Sequence, residues 1–193
     1  NCISIDSGRE DRWGGTLYGA WWCENNNVTL PTSGRIDGCV IINVRGLGAI
    51  NDPKLNGVRE VADTVIWDVE GGYRADNENS RTNAITRLNH LTIGKISGVA
   101  QDTSRMWGVG AGAGSPYYSL AEATIRNSII FGCQTYGAAD YLSTDYNNYY
   151  GNAAPFGATY YGGPSPSAGA HETYVNPLYH PATNRSGALK YVI

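Results

Sequence analysis

Three charged side chains lie close together in the sequence and could perform catalysis: Asp68, Glu70 and Arg74. Asp68 and Glu70 are two positions apart, so on an extended strand both side chains would project from the same face. A carboxylate pair of this kind is typical of a calcium site or of an acid–base pair. The same alternation is typical of the solvated outer face of a strand, and the spacing alone favours that second interpretation. These three residues are the candidate catalytic residues of the chain.

Aromatic side chains form the second group of candidates, because the chain contains five Trp and 14 Tyr. Exposed Trp and Tyr rings stack on sugar rings, and they also anchor protein interfaces. In a strand, two consecutive aromatic residues would instead place one ring in the core and one outside. Both arrangements stay open, and the predicted ligand-binding residues are Trp21, Trp22, Trp107 and Tyr118.

Charge and motif content argue against several classes of partner. The formal net charge is −3 and the basic residues form no run, whereas nucleic-acid binding requires concentrated Lys or Arg. The Gly-rich stretch "GVGAGAGSP" (108–116) lacks the flanking strand and helix of a dinucleotide site. The three His are too widely spaced to predict a metal site, and no apolar run approaches the about 18 residues of a membrane span. We therefore expect no cofactor, no metal, no nucleic acid and no membrane span.

The four cysteines have no C-x-x-C spacing: Cys2, Cys23, Cys39 and Cys133. Four thiols allow three pairings, of which Cys2 with Cys23 is the most local. The alternative is that the cysteines are free thiols buried in strands, where Cys packs as a small apolar residue.

Apolar segments recur along the chain. "VIINVRG" (40–46) and "VIWDVEG" (65–71) match at Val, Ile, Asn or Asp, Val and Gly, 25 residues apart. Aligning "LTIGKI" and "SIIFGC" beneath them gives one row of equivalent positions, at intervals of 25, 27 and 37 residues: Ile41, Ile66, Ile93 and Ile130. The row extends upstream to Leu17 and downstream to Tyr149. Strands at such intervals, separated by polar connections, are typical of a solenoid whose inward residues form one core.

Two other architectures fit the sequence less well. A β-sandwich would repeat its strands every ~8–12 residues with tight hairpin signals, and such dipeptides are nearly absent here. Helical character is confined to residues 117–126 ("YYSLAEATIR"), where we expect a short helix or a capping turn. The sequence therefore predicts an all-β solenoid.

Three segments resemble the right-handed parallel β-helix proteins of the pectate-lyase-like superfamily: "TIRNSIIFGC" (124–133), "DYNNYYGN" (145–152) and "GAHETYVNPLYHPATN" (169–184). The resemblance covers roughly residues 35–180 and is strongest at 123–180. It implies that residues 1–193 form one all-β domain, a right-handed parallel β-helix with rungs at about 16–160 and a closing segment at 161–193. Because neither end offers an obvious cap, we expect a fragment of a longer chain or part of an assembly.

The superfamily includes lyases that use Arg or Lys as base with calcium, hydrolases with clustered carboxylates, and non-catalytic phage tail spikes. The resemblance therefore implies two functions of different classes. The favoured one is a non-catalytic structural or adhesive module on an extracellular surface or a virus particle. Its partners would be polysaccharides or protein subunits, including copies of itself. The alternative is a polysaccharide lyase or glycoside hydrolase acting on an acidic polysaccharide, with calcium as cofactor in the lyase case.

Overall fold

The computed structural model describes residues 2–5, 9–10, 16–18, 21–24, 33–44, 49–54, 57–69, 71–75, 84–96, 108–111, 122–140, 142–158 and 164–177. These residues contain only strands, turns and irregular segments, so the part of the chain that is described is all-β. Within it, no helix is long and apolar enough to cross a membrane.

Most strands belong to three parallel sheets. Sheet 1 contains β1 (Ile3–Ile5), β6 (Val40–Ile42), β9 (Val65–Val69), β12 (Thr92–Ile96), β15 (Ile129–Phe131) and β18 (Asn148–Tyr150). Sheet 2 contains β4 (Trp21–Glu24), β7 (Ile50–Lys54), β10 (Tyr73–Ala75), β13 (Val109–Ala111), β16 (Tyr136–Asp140) and β19 (Ala154–Gly157). Sheet 3 contains β5 (Gly34–Asp37), β8 (Val58–Ala62), β11 (Ile85–Asn89), β14 (Glu122–Arg126) and β17 (Ser143–Asp145). A separate antiparallel pair is formed by β2 (Arg9–Glu10) and β3 (Thr16–Tyr18).

The order of the strands repeats regularly. From β5 to β19 the chain visits sheet 3, sheet 1 and sheet 2 in turn, five times. We call each such set of three strands a tier; β8, β9 and β10 form one tier. Every strand of an inner tier pairs in parallel with the corresponding strands of the tiers before and after it. Two neighbouring strands of one sheet are separated in the chain by the other two strands of a tier. This separation supplies the long crossover connection that parallel pairing requires.

The register of sheet 1 confirms the row of isoleucines that the sequence predicts. Ile41 pairs with Ile66, Ile66 with Ile93, and Ile93 with Ile130. Tyr149 continues the row as the partner of Ile130, also as predicted.

The upstream end of that predicted row is wrong. The partner of Ile41 towards the start of the chain is Ser4, whereas Leu17 lies in the antiparallel strand β3. An apolar residue at a suitable interval therefore did not suffice to identify the strand that pairs.

One core joins the three sheets. Its inward residues are Ile41, Ile66, Ile93 and Ile130 from sheet 1, Ile50, Tyr73, Val109 and Ala138 from sheet 2, and Ile36, Val61, Leu88 and Ile125 from sheet 3. In each sheet these residues are in register with one another across the tiers. Burial of this continuous apolar row is the main stabilising contribution, because no tier could bury its inner face alone.

A second row, made of buried polar side chains, links the tiers between sheet 3 and sheet 1. The backbone N–H of Leu91 donates to Ser128 Oγ at 3.0 Å, and that of Ser128 donates to Asn147 Oδ1 at 3.0 Å. Thr64 Oγ1 accepts from the N–H of Cys39 in the same way, at 3.4 Å. These bonds satisfy backbone donors that would otherwise be buried without a partner.

One further expectation is corrected. Within the segment 117–126, residues Glu122–Arg126 form strand β14, because pairing with β11 overrides the local helical propensity. Of the two alternatives for the cysteines, the structure has Cys2, Cys39 and Cys133 as free thiols, with Cys39 and Cys133 buried. Burial raises the pKa of the Cys133 thiol well above its usual value.

Candidate binding surface

The turn from sheet 3 to sheet 1 carries one residue of positive φ in each tier. These residues are Gly38, Asp63, His90, Asn127 and Tyr146, with φ between 48° and 61°. They form a single row, because the residues immediately before them are paired in register across sheet 3. Asn and Asp tolerate this left-handed conformation better than most residues, which agrees with the polar character of the turn. We call the exposed side chains Asp63, His90, Asn127 and Tyr146 the polar corner.

Side chains of the polar corner contact one another from tier to tier. His90 Nδ1 lies 3.4 Å from Asp63 Oδ1 and 3.3 Å from the side-chain nitrogen Nδ2 of Asn89. Asn127 Nδ2 donates to Asn89 Oδ1 at 2.8 Å. Because successive paired strands are ~4.8 Å apart, the corner presents hydrogen-bonding groups at a regular spacing.

His171 extends the polar corner beyond β17. Its imidazole stacks on the ring of Tyr146, with ring centroids 4.1 Å apart and planes inclined by 6°. Asp145 Oδ1 accepts from the backbone N–H of His171 at 3.0 Å and lies 3.1 Å from its Nδ1. Desolvation acts to raise the pKa of Asp145, but the hydrogen bonds from His171 and from the N–H of Tyr146 outweigh it. The pKa of Asp145 is therefore lower than usual.

A shallow cleft of about 330 Å³ opens beside this stacked pair. Its lining includes the polar or aromatic residues Asn127, Ser128, Tyr146, Asn148, His171 and Thr173, together with Ile129. Amide, hydroxyl and imidazole groups of this kind donate to and accept from hydroxyl groups of a ligand, and the aromatic pair supplies a flat side. The arrangement fits a polyhydroxylated molecule lying along the corner.

The outer face of sheet 1 carries a separate apolar surface, which we call the apolar wall. Ile42 and Trp67 are buried there, and they form a cluster distinct from the main core. Val40, Val65 and Phe131 pack against them. At one end of this face Tyr150, the partner of Phe131, is 39% exposed. The alternation of strand side chains therefore places apolar residues on both faces of sheet 1.

The outer face of sheet 3 carries alternating charges instead. Arg35 lies 3.9 Å from Glu60, Glu60 lies 3.7 Å from Arg87, and Arg87 lies 3.0 Å from Glu122. The hydrogen bond from Arg87 lowers the pKa of Glu122, and the same bond raises the pKa of Arg87. All four side chains are largely exposed, so these ion pairs contribute little to stability and leave a nearly neutral surface.

The structure separates the predicted catalytic residues that it describes. Asp68 lies in β9 and accepts a hydrogen bond from Lys95 Nζ at 2.5 Å. Arg74 lies on β10 in sheet 2, where it is only 7% exposed. Glu70 lies outside the described residues. Asp68 and Arg74 therefore lie on different sheets, and the catalytic role of the three residues stays a prediction.

Of the predicted ligand-binding residues, only two lie in described strands. Trp21 and Trp22 are in β4, where they pair with Ile50 and Asn51 of β7. Trp107 and Tyr118 lie outside the described residues. The expected role of these four aromatic residues stays a prediction.

Sequence reasoning missed the residues that carry the surfaces described above. Tyr146 and His171 are 25 residues apart, the same interval as Ile41 and Ile66, and this interval was the available signal for their contact. Trp67 lay within the repeat but was not singled out. Across the described ranges, no group of three His, Cys, Asp or Glu side chains could hold a metal ion.

Comparisons with protein-family models, with curated proteins and with solved structures find no match to this chain. Its function must therefore be argued from its own residues.

Proposed function

We propose that this chain is a right-handed parallel β-helix of the pectate-lyase-like type that serves as a non-catalytic adhesive or structural module. Its setting would be an extracellular surface or a virus particle. The repeating order of sheets 3, 1 and 2 and the parallel, in-register pairing of successive tiers support this fold. One core shared by the three sheets supports it as well.

The observation that carries the function is the polar corner. It presents one exposed polar or aromatic side chain in each of four successive tiers, and it leads to the cleft beside Tyr146 and His171. The tier spacing of ~4.8 Å is comparable with the length of one sugar ring in an extended polysaccharide. A glycan chain lying along the corner would therefore meet a hydrogen-bonding group at nearly every ring.

The end of the apolar wall at Tyr150 is the surface proposed for contact with a neighbouring subunit, since Ile42 and Trp67 are already buried. An outer face with Tyr150 exposed at one end is the kind of surface that proteins bury against a partner. Light scattering of the protein at increasing concentration measures this association. Assembly that is unaffected by Tyr150→Glu would count against this part of the proposal.

The lyase or hydrolase alternative has less support. Asp68 is paired with Lys95, and Arg74 is buried on another sheet. An abstracting base needs to reach the proton that it removes, and a buried guanidinium does not offer that access.

Binding to a panel of immobilised glycans tests the main proposal. We expect at least one extended polysaccharide to be bound without a change in its length. The double variant His90→Ala/Asn127→Ala should weaken this binding about tenfold, because each side chain supplies about one hydrogen bond to the ligand. Gln134→Ala, an exposed change away from the corner, is the matched control.

Two outcomes would overturn the proposal. One is the absence of any glycan bound by the wild type. The other is shortening of an acidic polysaccharide by the protein, in the presence or absence of calcium, which would establish the enzyme instead.

A further inference from the structure

Residues 169–175, which we call the terminal strap, occupy the place of one more tier. Thr173 pairs in parallel with Asn148 of β18. The N–H of Thr173 donates to Asn147 O at 2.8 Å, and the N–H of Tyr149 donates to Thr173 O at 2.9 Å. By this register, Glu172 stands next to Asn147.

Glu172 takes the place of a neutral side chain in the buried polar row. In the tiers, hydroxyl or amide oxygens accept the backbone N–H of the preceding tier, as Asn147 does from Ser128. Glu172 performs the same role with a carboxylate. Its Oε2 accepts from the N–H of Asn147 at 2.6 Å, and its Oε1 accepts from Asn147 Nδ2 at 3.1 Å. The last link of the row is therefore ionisable, unlike the links before it.

A second ionisable contact holds the same strap. Asp145 on β17 accepts from the backbone N–H of His171 and lies within hydrogen-bond distance of its imidazole. Two carboxylates thus fasten the strap, Asp145 at the end of β17 and Glu172 through Asn147 in the turn that precedes β18.

Apolar burial contributes little to holding the strap. Tyr174 is adjacent in register to the core residue Tyr149, yet it is 49% exposed, and Val175 is 64% exposed. Segments with few buried apolar contacts open locally at a lower free energy than the rest of a protein. Asn148 and Val175 also exchange two neutral hydrogen bonds, which acid does not change, so opening would begin at residues 169–173.

We propose that the terminal strap is an acid-released latch: protonation of Asp145 and Glu172 detaches residues 169–173 from β17 and β18 while the tiers stay folded. The edge of β18 and the ring of Tyr149 would then become accessible. This device goes beyond glycan binding and does not depend on it.

The direction of the pH dependence follows from the groups around the latch. The pKa of Asp145 is lowered in the folded protein, so its contribution is present above its unfolded pKa and is lost as the pH falls through the folded value. Protonation of His171 strengthens its contact with Asp145 only while that carboxylate is ionised.

The neighbouring titratable groups do not change charge in acid. Burial raises the pKa of Tyr149, and Glu172 adds to that rise; desolvation and Glu172 likewise raise the pKa of Tyr174. Both phenols are therefore neutral at low pH. Arg126 is the register partner of Asp145, and burial keeps the Cys133 thiol neutral.

Hydrogen exchange of single amides, expressed as protection factors, tests the latch. Between pH 7 and about pH 2 we expect the protection of the amides of Asn147, Tyr149 and Thr173 to fall at least about tenfold, because the lowered pKa of Asp145 keeps its carboxylate ionised until strongly acidic pH. The amides of Thr92 and Ile129, which donate to Thr64 O and Leu91 O in the inner tiers, should keep their protection. The double variant Asp145→Ala/Glu172→Ala, which removes both side-chain acceptors, should show the low protection already at pH 7, with no further loss in acid.

The matched control is Glu122→Gln, which removes an exposed carboxylate on sheet 3 and should leave the pH response of the strap unchanged. The proposal is overturned by equal loss of protection at Thr92 and Ile129, because that would be general acid unfolding. It is equally overturned if the double variant responds to pH like the wild type.

Discussion

Gly94 determines how the two aromatic rings of the apolar wall meet. It stands in register between Trp67 and Phe131, whose ring centroids are 4.9 Å apart. A Cβ at this position would lie 2.6 Å from atoms of both rings. The absence of a side chain on one strand therefore allows the strands on either side to bury large rings against each other.

Gly94→Ala should destabilise the protein by about 1–3 kcal/mol, because the added methyl forces both rings out of a packed arrangement. Urea unfolding followed by circular dichroism measures the change. Gly34→Ala is the control, since its Cβ would meet only the flexible end of Arg59. Equal unfolding midpoints for the two variants would show that the wall is loosely packed.

At the scale of the element, the turn between sheet 3 and sheet 1 combines two tasks. In three of the five turns the positive-φ residue is exposed and the residue that follows it, Thr64, Ser128 or Asn147, supplies a buried polar link to the adjacent tier. The first residue builds the candidate binding surface, and the second fixes the position of that surface relative to the next tier.

Ser128→Ala tests the buried link. The change leaves the N–H of Leu91 buried without its acceptor, and an orphaned buried donor costs about 1–3 kcal/mol. Ser143→Ala, an exposed change on β17, should stay within about 0.5 kcal/mol of the wild type. Thermal and urea unfolding of both variants give the comparison, and a Ser128→Ala variant as stable as Ser143→Ala would contradict the role of the row.

The isoleucine row could be predicted from the sequence because one apolar pattern returns with nearly constant spacing. The three surfaces described above could not be predicted from the sequence, and the physical reasons differ between them. The packing of Trp67 against Phe131 depends on the missing side chain of Gly94, which lies on the strand between them. The contact of Asp145 with His171 depends on the register of a segment that shares a single bridge with β18. Short-range patterns contain neither fact.

For the whole molecule, parallel pairing has a kinetic consequence. Paired residues of sheet 1 are far apart in the chain, from 19 residues for Ile130 and Tyr149 to 37 residues for Ile93 and Ile130. Loop closure must precede every such contact, so its entropy cost is met before the contacts stabilise the chain.

Refolding from urea should therefore be slow, in the range of milliseconds to seconds or longer, as for other folds dominated by non-local pairing. Stopped-flow fluorescence measures the rate. Complete refolding within microseconds would mean that local contacts dominate, and it would contradict the pairing described above.

The in-register equivalence of the tiers has a consequence for how such a chain can change over generations. Duplication of a gene segment that encodes one whole tier would insert a copy whose inner face matches the neighbours on both sides. The new copy would carry its own corner residue, and lengthening the protein would lengthen its polar corner by the same step. Sequence drift in the copies could then alter the exposed residues one by one, while the isoleucine row stayed under constraint.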